Sequence, residues 1–123
     1  MNDSPEFSCL VLEDDPDCAA MIECVLGQEG GATVVSGTLE AARSAMANRD
    51  FDLYILDHRL PDGTGSEFFY ELRRQGRLAT AIMLTGMPEL SIAVELTRNG
   101  LFNYLIKPFN TTQFVACLRQ AKK

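Results

Sequence analysis

The sequence predicts a three-layer α/β sandwich of the (βα)5 kind, in which a five-stranded parallel sheet carries helices on both faces. Three observations lead there. Apolar runs of strand length recur five times at near-regular intervals, segments with helical spacing separate them, and the connections are short. Strict alternation of this kind implies βαβ crossovers, which make the strands parallel and cover the sheet on both sides.

The strands read as SCLVLE (8–13), ATVVS (32–36), FDLYILD (51–57), AIMLT (81–85) and FNYLI (102–106). The first, third and fourth are the most continuously apolar, which suits central strands buried on both faces. Asp15 is expected to cap the first helix, with Pro16 at its first position, where the missing N–H costs no hydrogen bond. Ile22, Val25, Leu26 and Glu29 then follow on a helical period. Gly100 stands where a C-terminal cap would end the fourth helix, and Phe114, Val115, Leu118 and Ala121 give the fifth its apolar stripe. With 123 residues, 46% apolar and 23% charged, the chain can bury a core. It shows no repeat and no second composition regime, so a single domain over 1–123 is expected, with an ordered core over about 7–122.

A net charge of -6 and a pI near 4.7 argue against direct nucleic-acid binding and against an anionic lipid surface, since either wants clustered Lys and Arg. Cys9, Cys18, Cys24 and Cys117 form no CxxC pair and no metal-ligand spacing. Their apolar neighbours point to reduced core or semi-buried thiols, hence to the cytoplasm. The opening MNDSPEF lacks the basic and apolar regions of a secretory leader, and no apolar run approaches the ~18 residues of a membrane span. The closing QAKK runs out with the last helix, which fits either a stand-alone domain or one whose partner domain follows.

In open parallel sheets, ligands gather at the carboxyl ends of the strands beside a topological switch point. Strand 1 delivers Glu13, Asp14 and Asp15 to that rim, strand 3 delivers Asp57, strand 4 Thr85 and Gly86, and strand 5 Lys107 and Pro108. Each has an ordinary reading alone: Asp15 as a helix cap, Thr85 as a turn residue, Lys107 as a solvated lysine, Asp57 as a turn cap. Their joint arrival from four strands asks for more. Two carboxylates at ~4 Å repel by about 4 kcal/mol at an effective dielectric near 20. A hard dication relieves that repulsion, and carboxylates with a backbone carbonyl and waters suit Mg²⁺. An acidic nucleophile, a dication, a lysine and a hydroxyl are the equipment of phosphoryl transfer, with Asp57 able to form an aspartyl phosphate.

From VLEDD through LDHRLPDGTG and MLTG to NYLIKPF, the chain resembles the receiver domain of two-component response regulators, the chemotaxis-type regulators among them. The motifs fall in family order over essentially the whole length. The resemblance implies a flavodoxin-like fold, with Asp57 as phosphoacceptor, Asp14 as a direct Mg²⁺ ligand, Glu13 acting on the metal through water, and the backbone carbonyl of Arg59 completing the protein's share of its shell. It also implies that Thr85 is the switch hydroxyl, that Lys107 pairs with the phosphoryl group ahead of a cis bond to Pro108, and that Tyr104 is the aromatic that reports activation. Arg59 and Met87 match the places that govern phosphate lifetime. Asp15 is set aside as a ligand because Pro16 needs it as cap. His58 is turned away from Asp57 by strand alternation and reads as structural, and Leu101 stands where the family often has a small residue.

The resemblance further implies a signalling protein that catalyses its own phosphorylation and dephosphorylation, with a histidine kinase or histidine phosphotransfer protein as donor. An output domain or protein, and dimerisation, would be served by the surface of helix 4, strand 5 and helix 5. Other classes fit less well. A haloacid-dehalogenase-type phosphatase wants DxD on the first strand, whereas the candidate nucleophile here lies on the third. An FMN-binding flavodoxin-like protein wants a hydroxyl- and glycine-rich loop where EDDPD stands, and a receiver kept only as an interaction module would not need the intact Glu13, Asp14, Asp57, Thr85 and Lys107 set.

Overall fold

The computed structural model describes residues 5–86 and 90–121. Five parallel strands, β1 (Phe7–Leu12), β2 (Gly31–Ser36), β3 (Leu53–Asp57), β4 (Thr80–Thr85) and β5 (Asn103–Ile106), form one sheet in the order β2-β1-β3-β4-β5. They alternate with α1 (Pro16–Gln28), α2 (Leu39–Ala45), α3 (Gly65–Arg74), α4 (Leu90–Arg98) and α5 (Thr111–Ala121). The three most apolar runs are the three inner strands, as expected from burial on both faces.

Side-chain alternation along the strands divides the core in two. Leu10, Leu12, Tyr54, Leu56, Ala81 and Met83 join Leu39 and Ala42 of α2, Phe68, Phe69 and Leu72 of α3, and Leu96 of α4. Their neighbours Cys9, Val11, Leu53, Ile55, Ile82 and Leu84 face the other way, onto Ile22, Val25 and Leu26 of α1 and Phe114, Cys117 and Leu118 of α5. The chain winds from β1 to β2 on one side and then crosses to β3 on the other, so the switch point lies between β1 and β3.

Asp15 caps α1 by accepting from the Asp17 N–H at 3.2 Å, and Pro16 is its first residue. Gly100, at φ +108°, ends α4 with the Leu101 N–H returning to the Leu96 carbonyl at 2.9 Å. Two expectations need correction. Glu29 lies beyond the stripe of α1 as its C-cap, and its carboxylate accepts from Arg119 of α5 at 2.9 Å, strapping together the two helices of that face. Cys24 is exposed; Cys9 and Cys117 are buried, Cys18 is half-buried, and all four are free. No helix among the described residues is long and apolar enough to cross a membrane.

Candidate functional site

Glu13 follows the last residue of β1, and its N–H extends the ladder to the Ser36 carbonyl of β2 at 3.0 Å. That backbone bond holds a carboxylate with only 2% exposure at the edge of the sheet. Its Oε1 accepts from the Asp15 N–H at 3.1 Å, and its Oε2 accepts from Lys107 Nζ at 2.8 Å. Asp57 is the last residue of β3, in register with Leu84 of β4, and is 7% exposed. Lys107 Nζ lies 3.3 Å from Asp57 Oδ1, so one ammonium is shared by two buried acids. The Lys107 N–H donates to the Thr85 carbonyl at 2.7 Å, which fixes the start of the lysine's reach, and the Lys107–Pro108 bond is cis.

Burial pushes the Asp57 carboxyl up to about 6, and the neighbouring Glu13 charge adds to the rise; Lys107 works against both. For Lys107 itself, burial opposes the charge, but the hydrogen bond to Glu13 and the nearby Asp57 hold the ammonium above its ordinary value. Oxygens of Glu13, Asp14 and Asp57 lie within 4.8 Å of one another. Carboxylate oxygens gathered this closely are the hard, anionic donor set that a dication such as Mg²⁺ would suit, with waters completing its shell.

The other expected residues stand in different relations to this cluster. Thr85 closes β4 and is buried, one step beyond the Leu84 that pairs with Asp57. Tyr104 is paired with Met83 and packs, half-buried, against the core on the α2–α4 face. Arg59 is exposed in a short hairpin, where Arg59–Leu60 pairs with Gly63–Thr64. His58 serves through its backbone, its N–H on the Leu84 carbonyl at 2.8 Å and its carbonyl on the Gly65 N–H at 3.1 Å. Met87 lies outside the described residues.

Three features escaped the sequence reading. Asp62, at the hairpin tip, accepts from the Leu39 and Glu40 N–H groups of α2 at 2.8 and 3.1 Å. Gly65 passes so close to Asp57 that a Cβ there would overlap the Asp57 carbonyl oxygen. Cys18 sits beside Glu13, and burial together with that carboxylate pushes its thiol up to about 11. A glycine two residues past a proline signals a turn, but neither a partner helix nor a close approach can be read from its neighbours.

The response regulator receiver domain model matches residues 9–119 of the chain. Among curated proteins, the chain is 34% identical over 112 residues to the KDP operon transcriptional regulatory protein KdpE of Escherichia coli, covering 91% of this chain and 49% of that protein. It is 30% identical over 99 residues to the response regulator protein PilR of Pseudomonas aeruginosa, covering 80% of this chain and 22% of that one. The chain thus spans about half, or less, of these relatives' own length. Among solved structures, the non-phosphorylated HemR receiver domain of Leptospira biflexa has a TM-score of 0.86 at 24% identity, covering 93% of this chain and 92% of that one, a likeness of fold. The beryllofluoride-activated NtrC4 receiver domain, solved as a dimer, has a TM-score of 0.84 at 25% identity, covering 93% and 94%. A match running from the middle of β1 to the last turn of α5 establishes that the chain belongs to the receiver domains of two-component response regulators.

Proposed function

We propose that this receiver takes a phosphoryl group onto Asp57 from a histidine kinase or histidine phosphotransfer protein in the cytoplasm. One observation carries the proposal: the Asp57 carboxylate is held at the switch point, beside Lys107 and close to two further acids. Attack by an Asp57 oxygen forms an O–P bond as the P–N bond to the donor imidazole breaks, and the leaving imidazole takes a proton from solvent. Hydrolysis reverses the modification, with water supplying the oxygen that leaves as inorganic phosphate. Asp14, Asp57 and the Arg59 carbonyl would hold Mg²⁺ directly and Glu13 through water; when bound, the ion neutralises charge on the phosphoryl oxygens. Lys107 is a fixed cation already beside Asp57, and it turns from the carboxylate pair toward the new phosphoryl oxygens. Arg59 and Met87 are assigned to screening the phosphoryl group from water.

The readout follows from the alternation of the strands. Thr85, Met83 and Tyr104 share the α2–α4 side of the sheet, with Tyr104 directly opposite Met83, so a shift of the Thr85 hydroxyl toward the phosphoryl group opens space on the tyrosine's side. The surface so altered is that of α4, β5 and α5, where Val94 is exposed on α4, Ile106 on the edge strand β5 and Phe102 just before it. That surface is assigned to an output domain or protein and to dimerisation; the beryllofluoride-activated NtrC4 receiver domain was itself solved as a dimer.

Intact mass after incubation with Mg²⁺ and a small acyl phosphate tests the assignment. One phosphoryl group should appear on the parent and none on Asp57→Asn. Labelling of the variant at the parent rate would place the nucleophile elsewhere.

A further inference from the structure

The hairpin that follows the phosphoacceptor contributes little structure of its own. Its arms are two residues each, Pro61 and Asp62 form its tip, and it must return the chain to Asp57 within eight residues so that Gly65 can begin α3. What holds it comes largely from α2. The Asp62 carboxylate clamps the N–H groups of Leu39 and Glu40, one on each oxygen. The Leu39 side chain lies where a Cβ on Gly63 would overlap it. α2 is tied in turn to α3 by Arg43, whose guanidinium makes a two-pronged bridge to Glu71 at 2.5 and 3.0 Å. Hairpin, α2 and α3 thus form a closed ring, in which Asp62 makes both of the hydrogen bonds described above between a hairpin side chain and the α2 backbone.

We propose that Asp62 is a positioning residue for phosphorylation: by clamping the start of α2 it fixes the hairpin, and so sets Asp57 and the Arg59 carbonyl against Glu13 and Asp14. This rests on the receiver chemistry proposed above. Asp62 touches none of the reacting atoms. A helix-capping role alone would look different, because α2 already has its own N-cap in Thr38, whose Oγ1 accepts from the Ala41 N–H at 3.0 Å. Loss of the Thr38 hydroxyl loosens α2 and leaves the hairpin clamped. Loss of the Asp62 carboxylate frees the hairpin.

The experiment compares Asp62→Ala, Asp62→Asn and Thr38→Ala in the full chain by two readouts. Amide hydrogen exchange at Gly65, whose N–H reaches back to the His58 carbonyl, reports the hairpin without phosphate or metal. The rate of phosphorylation by a small acyl phosphate in saturating Mg²⁺ reports the chemistry. Asp62→Ala should speed Gly65 exchange and slow phosphorylation, each by about tenfold, whereas Thr38→Ala should stay within about twofold of the parent on both. Asp62→Asn keeps an oxygen for one of the two N–H groups and should fall between. Unchanged exchange at Gly65 in Asp62→Ala, or equal slowing of phosphorylation by Asp62→Ala and Thr38→Ala, would overturn the proposal. A parent that gains no phosphate at all would instead overturn the receiver chemistry, and with it the catalytic purpose of the clamp, while the exchange data still decide whether the clamp exists.

Discussion

Lys107 is where the electrostatics of the site converge. Its ammonium bonds the buried Glu13 at 2.8 Å and stands 3.3 Å from the buried Asp57, so removing it leaves two acids close together with no cation between them. Breaking a buried pair costs about 3–5 kcal/mol, and the partial exposure of this lysine places the loss lower, at about 2 kcal/mol. Lys107→Ala should therefore lower the urea midpoint in a chelator-treated sample. Mg²⁺ supplies the missing positive charge, so most of that loss should return when the metal is added. Equal destabilisation with and without Mg²⁺ would mean that Lys107 acts by packing, outside the acidic cluster.

At the scale of elements, the short helix α2 depends on carboxylates more than on its own length. Seven residues are too few for a helix to stand on propensity, and its first three N–H groups are taken by Asp62, Asp62 and Thr38. The Leu39 N–H, helped by the Glu40 N–H, holds the Asp62 carboxyl below its ordinary value of 3.8; the hydrogen bond from Arg43 holds that of Glu71 below 4.5. A carboxyl lowered by folding stabilises the fold fully above its ordinary value, and that contribution fades as pH falls through the lowered one. Acid unfolding should accordingly steepen below about pH 4. Asp62→Asn, which has no charge to lose, should show a shallower acid limb in a thermal melt series, with a constant offset from the parent between pH 5 and 8. An acid limb identical to the parent's would mean that Asp62 is not clamped in solution.

For the whole molecule, the separation of the core into two faces determines how far a change at Asp57 travels. Glu13, Asp57 and Lys107 follow the strand positions that face α1 and α5, while Thr85 and Tyr104 share the face of α2, α3 and α4. In the switch proposed above, phosphorylation would act on the first group and be read through the second, on the opposite face of the sheet. Such coupling shifts a balance between two packings, so beryllofluoride with Mg²⁺ should move amide signals of α4, β5 and α5 in addition to those around Asp57. Thr85→Ala should keep the changes near Asp57 and lose those at Tyr104 and Ile106. Signals confined to the site in the parent would sever the proposed route.

The architecture was legible from the sequence because it follows from local chemistry. Strand length, apolar continuity and alternation name five strands and their central three, and Asp15–Pro16 and Gly100 mark helix ends through backbone geometry that neighbours in sequence dictate. The acidic residues at the strand ends were legible for the same reason: a strand's last residue lies on the rim whatever else the fold does. Partnerships were decided only by the tertiary structure. Whether Glu29 belonged to a helical stripe or to Arg119, whether Asp62 was a turn residue or a clamp on a helix that begins 23 residues earlier, and whether Gly65 was a loop glycine or the one residue able to pass the Asp57 carbonyl all depend on what lies across space. Sequence spacing specifies which way a side chain leaves its own element; which group it meets depends on the packing of every other element, and that exists only once the chain has folded.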